Sequence, residues 1–146
     1  MTSTRRSGPH PRPVLSTRST ESPDTPLRMG IIGGGAIVQV AHLPVLRKTR
    51  AVDLAALCDS DLVKARALAE RSGIPNVYDD FEDLLQHEQL DAVLIATPNH
   101  LHESHILAAL SAGLHVLVEK PLALSSAGAQ KIIRAAEKRD RVVMVG

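Results

Sequence analysis

Aromatic side chains, cysteine and long apolar runs are scarce in this chain of 146 residues. Tyr78 and Phe81 alone represent tyrosine, phenylalanine and tryptophan, which disfavours binding of nucleic-acid bases by stacking. The net charge of +1 gives no electrostatic reason for a nucleic-acid or membrane-surface partner. The single cysteine excludes a disulfide within the chain, so we expect a cytoplasmic protein. No apolar run approaches the length of a membrane span, and no signal peptide is recognisable.

Residues 1–27 have a composition of their own, rich in proline, serine, threonine and arginine. They contain five of the nine prolines and little that could be buried. Such a segment cannot offset the entropy lost on ordering, so we predict a disordered tail. Composition favours an unstructured extension or a mis-assigned start over a docking tail.

From residue 28 onward, strand-like apolar segments alternate with helical segments. Several strands are apolar on both faces, as expected when helices cover both sides of a parallel sheet. The pattern predicts a doubly wound α/β domain over residues 28–146. The predicted strands are 28–32, 52–58, 76–78, 92–96, 114–118 and 142–145. The predicted helices are 36–48 with a kink at Pro44, 61–72, 81–87, one from 99 to about 112, and one beginning at 125 or 126.

Three consecutive glycines, residues 33–35, join the first strand to the following helix. In a dinucleotide site such a loop makes a tight turn and lets the backbone approach a pyrophosphate that faces the helix N-terminus. The third small residue of that motif falls on Val38, where Gly or Ala is usual, and this departure could loosen helix packing. The predicted cofactor-binding residues of this loop are Gly33, Gly35, Ala36 and Ile37.

Asp59 ends the second strand, 26 positions after Gly33. A carboxylate there accepts hydrogen bonds from the adenine ribose and repels a 2′-phosphate. We therefore predict that Asp59 binds the cofactor and that NAD is favoured over NADP, although Lys64 is near. The competing interpretation is that Asp59 or Ser60 only caps the next helix.

Three histidines and a glutamate follow the fourth strand within residues 100–105. On a helix His102 and His105 are neighbours, whereas His100 and His102 point apart. No cysteine or carboxylate elsewhere lies at an obvious ligand spacing, so we predict no metal site. We expect His100 and His105 to face solvent.

The fifth strand runs directly into Glu119, Lys120 and Pro121. In a doubly wound sheet the first, fourth and fifth strands are neighbours, and right-handed crossovers bring their carboxyl ends to one edge. A lysine at this edge can donate to a substrate oxygen and stabilise charge that develops there. A solvated ion pair at a strand end, stopped by Pro121, explains the tripeptide equally well.

The chain resembles the N-terminal domain of the Gfo/Idh/MocA oxidoreductases in the stretches GIIGGGAIVQVAHLPVL, ALCDSD, IATPNHLHESHILAALSAGLHVLVEKPLALS and VVMVG. The resemblance implies a Rossmann fold and a nicotinamide-dependent dehydrogenase or reductase of sugars, polyols or related small molecules. It implies that Lys120 is the catalytic lysine beside the nicotinamide, with Asn99, His102 and Glu119 around the same half of the cofactor. The cofactor-binding set predicted at these two strand ends is Thr97, Pro98, Asn99, His102, Glu119, Lys120 and Pro121.

Members of this family also carry a second domain with an open, mostly antiparallel sheet. That domain supplies the substrate pocket and an aspartate and a histidine for catalysis. No such segment follows Gly146 in this sequence, so we expect an inactive chain unless the substrate domain is supplied. A stand-alone NAD-binding module or sensor and a non-functional gene fragment stay open as alternatives.

The last strand is expected at the sheet edge, beside the position where that second domain packs in the family. An uncovered edge strand exposes backbone hydrogen-bonding groups, and here it is also apolar. We therefore expect an exposed apolar patch and self-association of the chain.

Overall fold

The computed structural model describes residues 25–146, and in them six parallel strands form one sheet with the order β3-β2-β1-β4-β5-β6. The strands are β1 Leu27–Ile32, β2 Val52–Cys58, β3 Asn76–Tyr78, β4 Ala92–Ile95, β5 His115–Val118 and β6 Val143–Val145. The helices are α1 Leu43–Leu46, α2 Leu62–Ser72, α3 Phe81–His87, α4 His102–Ser111 and α5 Ser126–Arg139. A π-helical segment, Val38–His42, precedes α1, and a 3₁₀ turn, Asn99–Leu101, precedes α4. This is the doubly wound Rossmann arrangement.

Two hydrophobic layers enclose the sheet because successive strand residues point to opposite faces. Ile31 packs with the π-helical segment, α1 and α2, whereas its neighbour Ile32 packs with α4 and α5. In β4, Leu94 packs in the same layer as Ile31, and Ile95 packs in the same layer as Ile32. Burial on both faces explains why these strands read as continuous apolar runs. None of the helices in residues 25–146 has the length and apolarity needed to cross a bilayer.

The observed strand boundaries agree with the predicted ones to within one residue. The predicted tail of residues 1–27 lies outside the described residues except for its last three. Of those three, Leu27 belongs to β1, so the strand begins one residue earlier than predicted. Its backbone N–H donates to the Ala51 carbonyl oxygen at 2.8 Å, which ties it to the residue before β2.

The segment predicted to be helical over 36–48 is helical from residue 36 to residue 46 without a break. What the sequence did not indicate is the π-helical turn at Val38–His42, which gives way to α1 at Leu43 with Pro44 in the first turn of α1. Proline has no N–H to donate, and its ring clashes with the preceding turn inside a regular α-helix. Pro44 is accommodated because it stands where one helical geometry ends and the next begins.

Cys58, the last residue of β2, is buried against α3. Burial, reinforced by the negative charges of Asp80 and Asp59, raises the pKa of its thiol to about 12. The thiol therefore stays protonated at neutral pH, and Cys58 packs as a small apolar residue.

Strand β6 and the residue before it expose apolar side chains, as predicted. Val142, Met144 and Val145 are each about half exposed or more, at 58%, 60% and 48%. Within the described residues β6 pairs only with β5, so its outer edge is free. Self-association through this edge stays a prediction.

We expect Met144→Lys to weaken self-association of the chain by about tenfold or more, because burying one such side chain contributes roughly 1.5–3 kcal/mol. Sedimentation velocity or light scattering across a concentration series measures the effect. Val63→Lys is the matched control, since Val63 is 81% exposed on α2. A wild-type chain that stays monomeric at high concentration contradicts the prediction.

Candidate functional site

The carboxyl ends of four adjacent strands form one rim of the sheet. Ile32 of β1 is in register with Cys58 of β2 and with Ile95 of β4, and Ile95 is in register with Val118 of β5. The residues that follow these strand ends therefore emerge side by side. In this way the fold brings the glycine loop, Asp59, the turn at Thr97 and the segment at Glu119 to the same rim, as the sequence predicted.

Gly33 makes the turn at the end of β1 in a conformation that only glycine adopts easily. Its φ is +95°, and a Cβ at this position would lie 2.5 Å from the carbonyl oxygen of Ala96. Its N–H donates to the Cys58 carbonyl oxygen at 2.8 Å, so the loop is held between β2 and β4. Gly35 differs, because a Cβ there would meet no atom within 4 Å. The loop therefore packs tightly on the Ala96 backbone at Gly33, whereas the space beside Gly35 is free for a ligand.

Val38, which replaces the third small residue of the motif, is fully buried in the layer formed with α2. It is also the first residue of the π-helical segment. The bulkier side chain therefore coincides with the wider helical turn. Ala36 and Ile37, before it, are exposed at the start of this helical segment, where a ligand on the rim can reach them.

The Asp59 carboxylate holds the glycine loop in place. Oδ2 accepts a hydrogen bond from the Gly34 N–H at 2.7 Å and lies 2.9 Å from the Lys64 Nζ, and Oδ1 accepts one from the Asp61 N–H at 3.0 Å. The cap of α2 is Asp61, whose side chain accepts from the Lys64 N–H, so the interpretation of Asp59 as the helix cap was wrong.

Burial by itself would raise the pKa of Asp59. The hydrogen bonds from the Asp61 and Gly34 N–H groups and from the Lys64 ammonium outweigh it and lower the pKa below 3.8. A carboxylate whose pKa is lowered on folding stabilises the fold above its ordinary pKa, and that contribution is lost as the pH falls through the folded value. Asp59 is therefore a fixed negative charge at neutral pH.

His102 is fully buried beneath the rim and not on it. Its Nδ1 lies 2.7 Å from the Pro121 carbonyl oxygen and its Nε2 lies 2.8 Å from the Thr97 carbonyl oxygen. Both partners accept, so both ring nitrogens face groups that need a donor, whereas a neutral imidazole has one N–H. His102 therefore joins the turn after β4 to the segment after β5 and cannot itself contact a ligand from solvent.

His105 is half-buried, so its predicted solvent-facing position was wrong. Its Nδ1 lies 3.0 Å from the Thr97 hydroxyl, and its ring packs on Phe81 with the ring centres 4.6 Å apart. Burial, together with the neighbouring His102, lowers the pKa of His105. The neutral ring is therefore favoured, as suits its place against an aromatic side chain.

Pro98, Asn99, Lys120 and Pro121 are the exposed members of the predicted set at this end of the rim. The Lys120–Pro121 peptide bond is cis. The Glu119 N–H donates to the Ile95 carbonyl oxygen at 2.9 Å, which continues the pairing of β5 with β4 by one residue. The Glu119 carboxylate lies 2.6 Å from the Nε2 of His42, at the end of the π-helical segment.

Two clefts of about 540 and 390 Å³ lie away from this rim, one between α1 and α2 and the other between α5 and β6. None of the predicted site residues lines either cleft. In the described part of the chain, no group of three or more His, Cys, Asp and Glu side chains is arranged to hold a metal ion.

Sequence reasoning missed two residues that support this rim. Gln39 donates from Nε2 to the Gly34 carbonyl oxygen at 2.9 Å, and His42 contacts Glu119, which lies 77 positions away in sequence. The helical spacing of the segment after the glycine loop could have placed Gln39 near that loop. No local signal links His42 to Glu119, because their contact depends on how the first helical segment sits across the sheet.

Residues 27–146 match the sequence profile of the Gfo/Idh/MocA oxidoreductase family, NAD-binding Rossmann fold. The chain is 38% identical over 119 residues to the D-glucoside 3-dehydrogenase of Escherichia coli K12, covering 82% of this chain and 34% of that protein. The chain spans about a third of the length of the curated relatives it matches.

Solved structures with the same fold include proteins crystallised with either nicotinamide cofactor. A scyllo-inositol dehydrogenase from Lactobacillus casei, with bound NAD(H) and scyllo-inositol, has a TM-score of 0.78 and 27% identity, covering 84% of this chain and 36% of that chain. A 3-ketoreductase from Actinomadura kijaniata, in complex with TDP-benzene and NADP, has a TM-score of 0.79 and 32% identity, covering 83% and 38%. Both cofactors thus occur among proteins similar to this one.

Proposed function

This chain belongs to the Gfo/Idh/MocA oxidoreductase family as its NAD-binding Rossmann domain, and we propose that it is the cofactor half of a sugar or polyol dehydrogenase or reductase. The proposed substrate class is a polyhydroxylated small molecule, in line with the glucoside and inositol dehydrogenases to which the chain is similar. The substrate pocket would come from a second domain of the kind that family members carry, and we propose that the chain does not turn over substrate without one.

The observation that carries the proposal is the construction of the glycine loop. Gly33 is closed against Ala96, Gly34 is held by the Asp59 carboxylate, and Gly35 leaves open space beside it. A pyrophosphate needs such an open stretch of backbone at the start of a helix, where N–H groups point outward. The residues present therefore fit a dinucleotide.

We propose Lys120 as the catalytic group. It is exposed on the rim, where its ammonium can donate a hydrogen bond to a substrate hydroxyl or carbonyl oxygen. A bound nicotinamide supplies the hydride acceptor or donor. The contribution of this chain is to bind that group along the rim and to hold a positive charge near the oxygen whose charge changes.

Preference for NAD over NADP is proposed on the charge at the end of β2. Asp59 is ionised at neutral pH and would repel a 2′-phosphate. Lys64 counteracts this repulsion in part, because its ammonium lies 2.9 Å from the same carboxylate and is 42% exposed. We therefore propose a moderate preference for NAD, set by the pair and not by Asp59 alone.

Calorimetric titration of the 146-residue chain with NAD and NADP tests this function. We expect Asp59→Ala to weaken NAD binding by about tenfold or more, the effect of losing hydrogen bonds to a charged group. We expect Lys64→Met to weaken NADP binding by a similar factor and to leave NAD binding nearly unchanged. The preference for NAD over NADP would therefore increase.

Asp53→Ala is the matched control, since Asp53 lies near the opposite end of the same strand and its carboxylate is 52% exposed. It should change neither affinity. Absence of binding of both cofactors to the folded wild-type chain would refute the proposed function. Equal affinities for NAD and NADP in all variants would refute the role of the Asp59–Lys64 pair.

A further inference from the structure

Two histidines from different elements hold the residues on either side of Lys120. His42 Nε2 lies 2.6 Å from the Glu119 Oε1, and His102 Nδ1 lies 2.7 Å from the Pro121 carbonyl oxygen. Lys120, between the two anchored residues, is exposed. The segment is therefore held at the Glu119 side chain and at the Pro121 backbone, while the lysine side chain stays accessible to a ligand.

The contact between His42 and Glu119 is the one that reaches across the rim. His42 belongs to the helical segment that begins at the glycine loop, and Glu119 directly follows β5. The two side chains are 19% and 18% exposed, so the contact is largely shielded from water. A carboxylate only accepts, so the His42 Nε2 donates, and a hydrogen bond to a charged acceptor is stronger than one between neutral groups.

Replacing His102 and replacing His42 would have different consequences for the structure. His102 is fully buried between two carbonyl oxygens, so its replacement disturbs the core as well as the rim. His42 is partly exposed at the rim side of its helix, and Glu119 is its polar partner. Replacement of His42 can therefore change the lysine segment with little change to the core.

We propose that His42 is a positioning residue for the nicotinamide end of the rim. Through the Glu119 carboxylate it fixes the segment that carries Lys120 relative to the helix after the glycine loop. It acts on the half of the dinucleotide that lies near Lys120 and not on the adenosine half near Asp59. This inference rests on the proposed binding of a nicotinamide dinucleotide along the rim.

A comparison of NADH with ADP-ribose separates the two halves of the cofactor, because ADP-ribose lacks the nicotinamide. In the full chain we expect His42→Leu to weaken NADH binding by about threefold to tenfold, the effect of one hydrogen bond. ADP-ribose binding should change by less than about twofold. Fluorescence titration measures the first affinity, and calorimetry measures the second. His42→Gln, which keeps a donor at a similar reach, should restore most of the NADH affinity.

His87→Leu is the control for loss of a histidine elsewhere, since His87 is exposed on α3 and its Nδ1 lies 2.8 Å from the Asp83 carbonyl oxygen of its own helix. A double-mutant cycle then tests whether His42 acts through Glu119. In a Glu119→Ala background, His42→Leu should have almost no further effect on NADH binding.

Equal weakening of NADH and ADP-ribose by His42→Leu would overturn the inference, since it would indicate a general effect on the fold. Full additivity in the cycle would overturn it as well, because His42 would then act independently of Glu119. A folded wild-type chain that binds neither ligand would instead refute the proposed function itself. Because the three results are distinct, the positioning role of His42 can be refuted without refuting the cofactor site.

Discussion

Gly33→Ala is expected to lower the free energy of unfolding by about 3 kcal/mol or more, which is a large part of the stability of a domain this size. The added Cβ would lie 2.5 Å from the Ala96 carbonyl oxygen and 2.7 Å from the Ala96 carbonyl carbon. Neither atom belongs to a flexible side chain, and the Ala96 N–H is bonded to the Ile32 carbonyl oxygen at 2.8 Å. The φ of +95° adds the strain that any L side chain meets there.

Urea unfolding followed by circular dichroism measures this loss. Gly73→Ala is the control that isolates the backbone strain, because Gly73 has a φ of +71° and a Cβ there would meet no atom within 4 Å. It should cost about 1 kcal/mol. Gly35→Ala should leave stability nearly unchanged while weakening NAD binding, since its Cβ would enter the open space of the loop. If Gly33→Ala and Gly73→Ala lower the free energy of unfolding equally, the close approach of Gly33 to Ala96 does not contribute to the cost.

His102→Leu is expected to cost about 1–3 kcal/mol, although the replacement has a similar size and is apolar. The Thr97 and Pro121 carbonyl oxygens would lose the ring nitrogens that lie 2.8 and 2.7 Å from them. A neutral imidazole donates to one of the two, and an acceptor left unpaired inside a protein costs about 1–3 kcal/mol. The cost arises from the carbonyl oxygens and not from lost packing.

His100→Leu is the control, because His100 is exposed two positions earlier. Its effect should stay within about 0.5 kcal/mol, as for other surface replacements. Thermal and urea unfolding of both variants measure the difference. A His102→Leu variant as stable as the His100→Leu variant would show that both carbonyl oxygens find other donors. That result would also weaken the assignment of His102 as the link between Thr97 and Pro121.

Local sequence patterns were sufficient to predict the sheet. A strand covered on both faces needs a continuous apolar run, and a turn to a helix needs glycine or a capping residue, so each strand carries its own signal. The residues Ala92–Ile95 are all buried, which is why they read as a strand without any alternation. The neighbouring positions of β1, β4 and β5 followed from the usual strand order of a doubly wound sheet, and right-handed crossovers placed their carboxyl ends at one edge.

The helical segment after the glycine loop shows what local patterns leave undetermined. The sequence predicted a helix over 36–48, and residues 36–46 are helical, but a sequence pattern does not distinguish a π turn from an α turn over so few residues. Val38 is buried on the sheet, and Pro44 begins the next helical turn. The geometry between them is set by how this segment packs on the sheet, a constraint that the sequence does not display.

The sequence by itself determined which residues stand at the rim, because each of them directly follows a strand. Gly33, Asp59 and Glu119 needed only that position and the parallel register to be brought together. Only the tertiary structure decided what these residues contact. Asp59 faces Lys64, Glu119 faces His42, and His102 lies beneath the rim. The physical reason is that periodicity fixes the face of an element on which a side chain lies, whereas a hydrogen bond between residues 77 positions apart depends on the packing of separate elements.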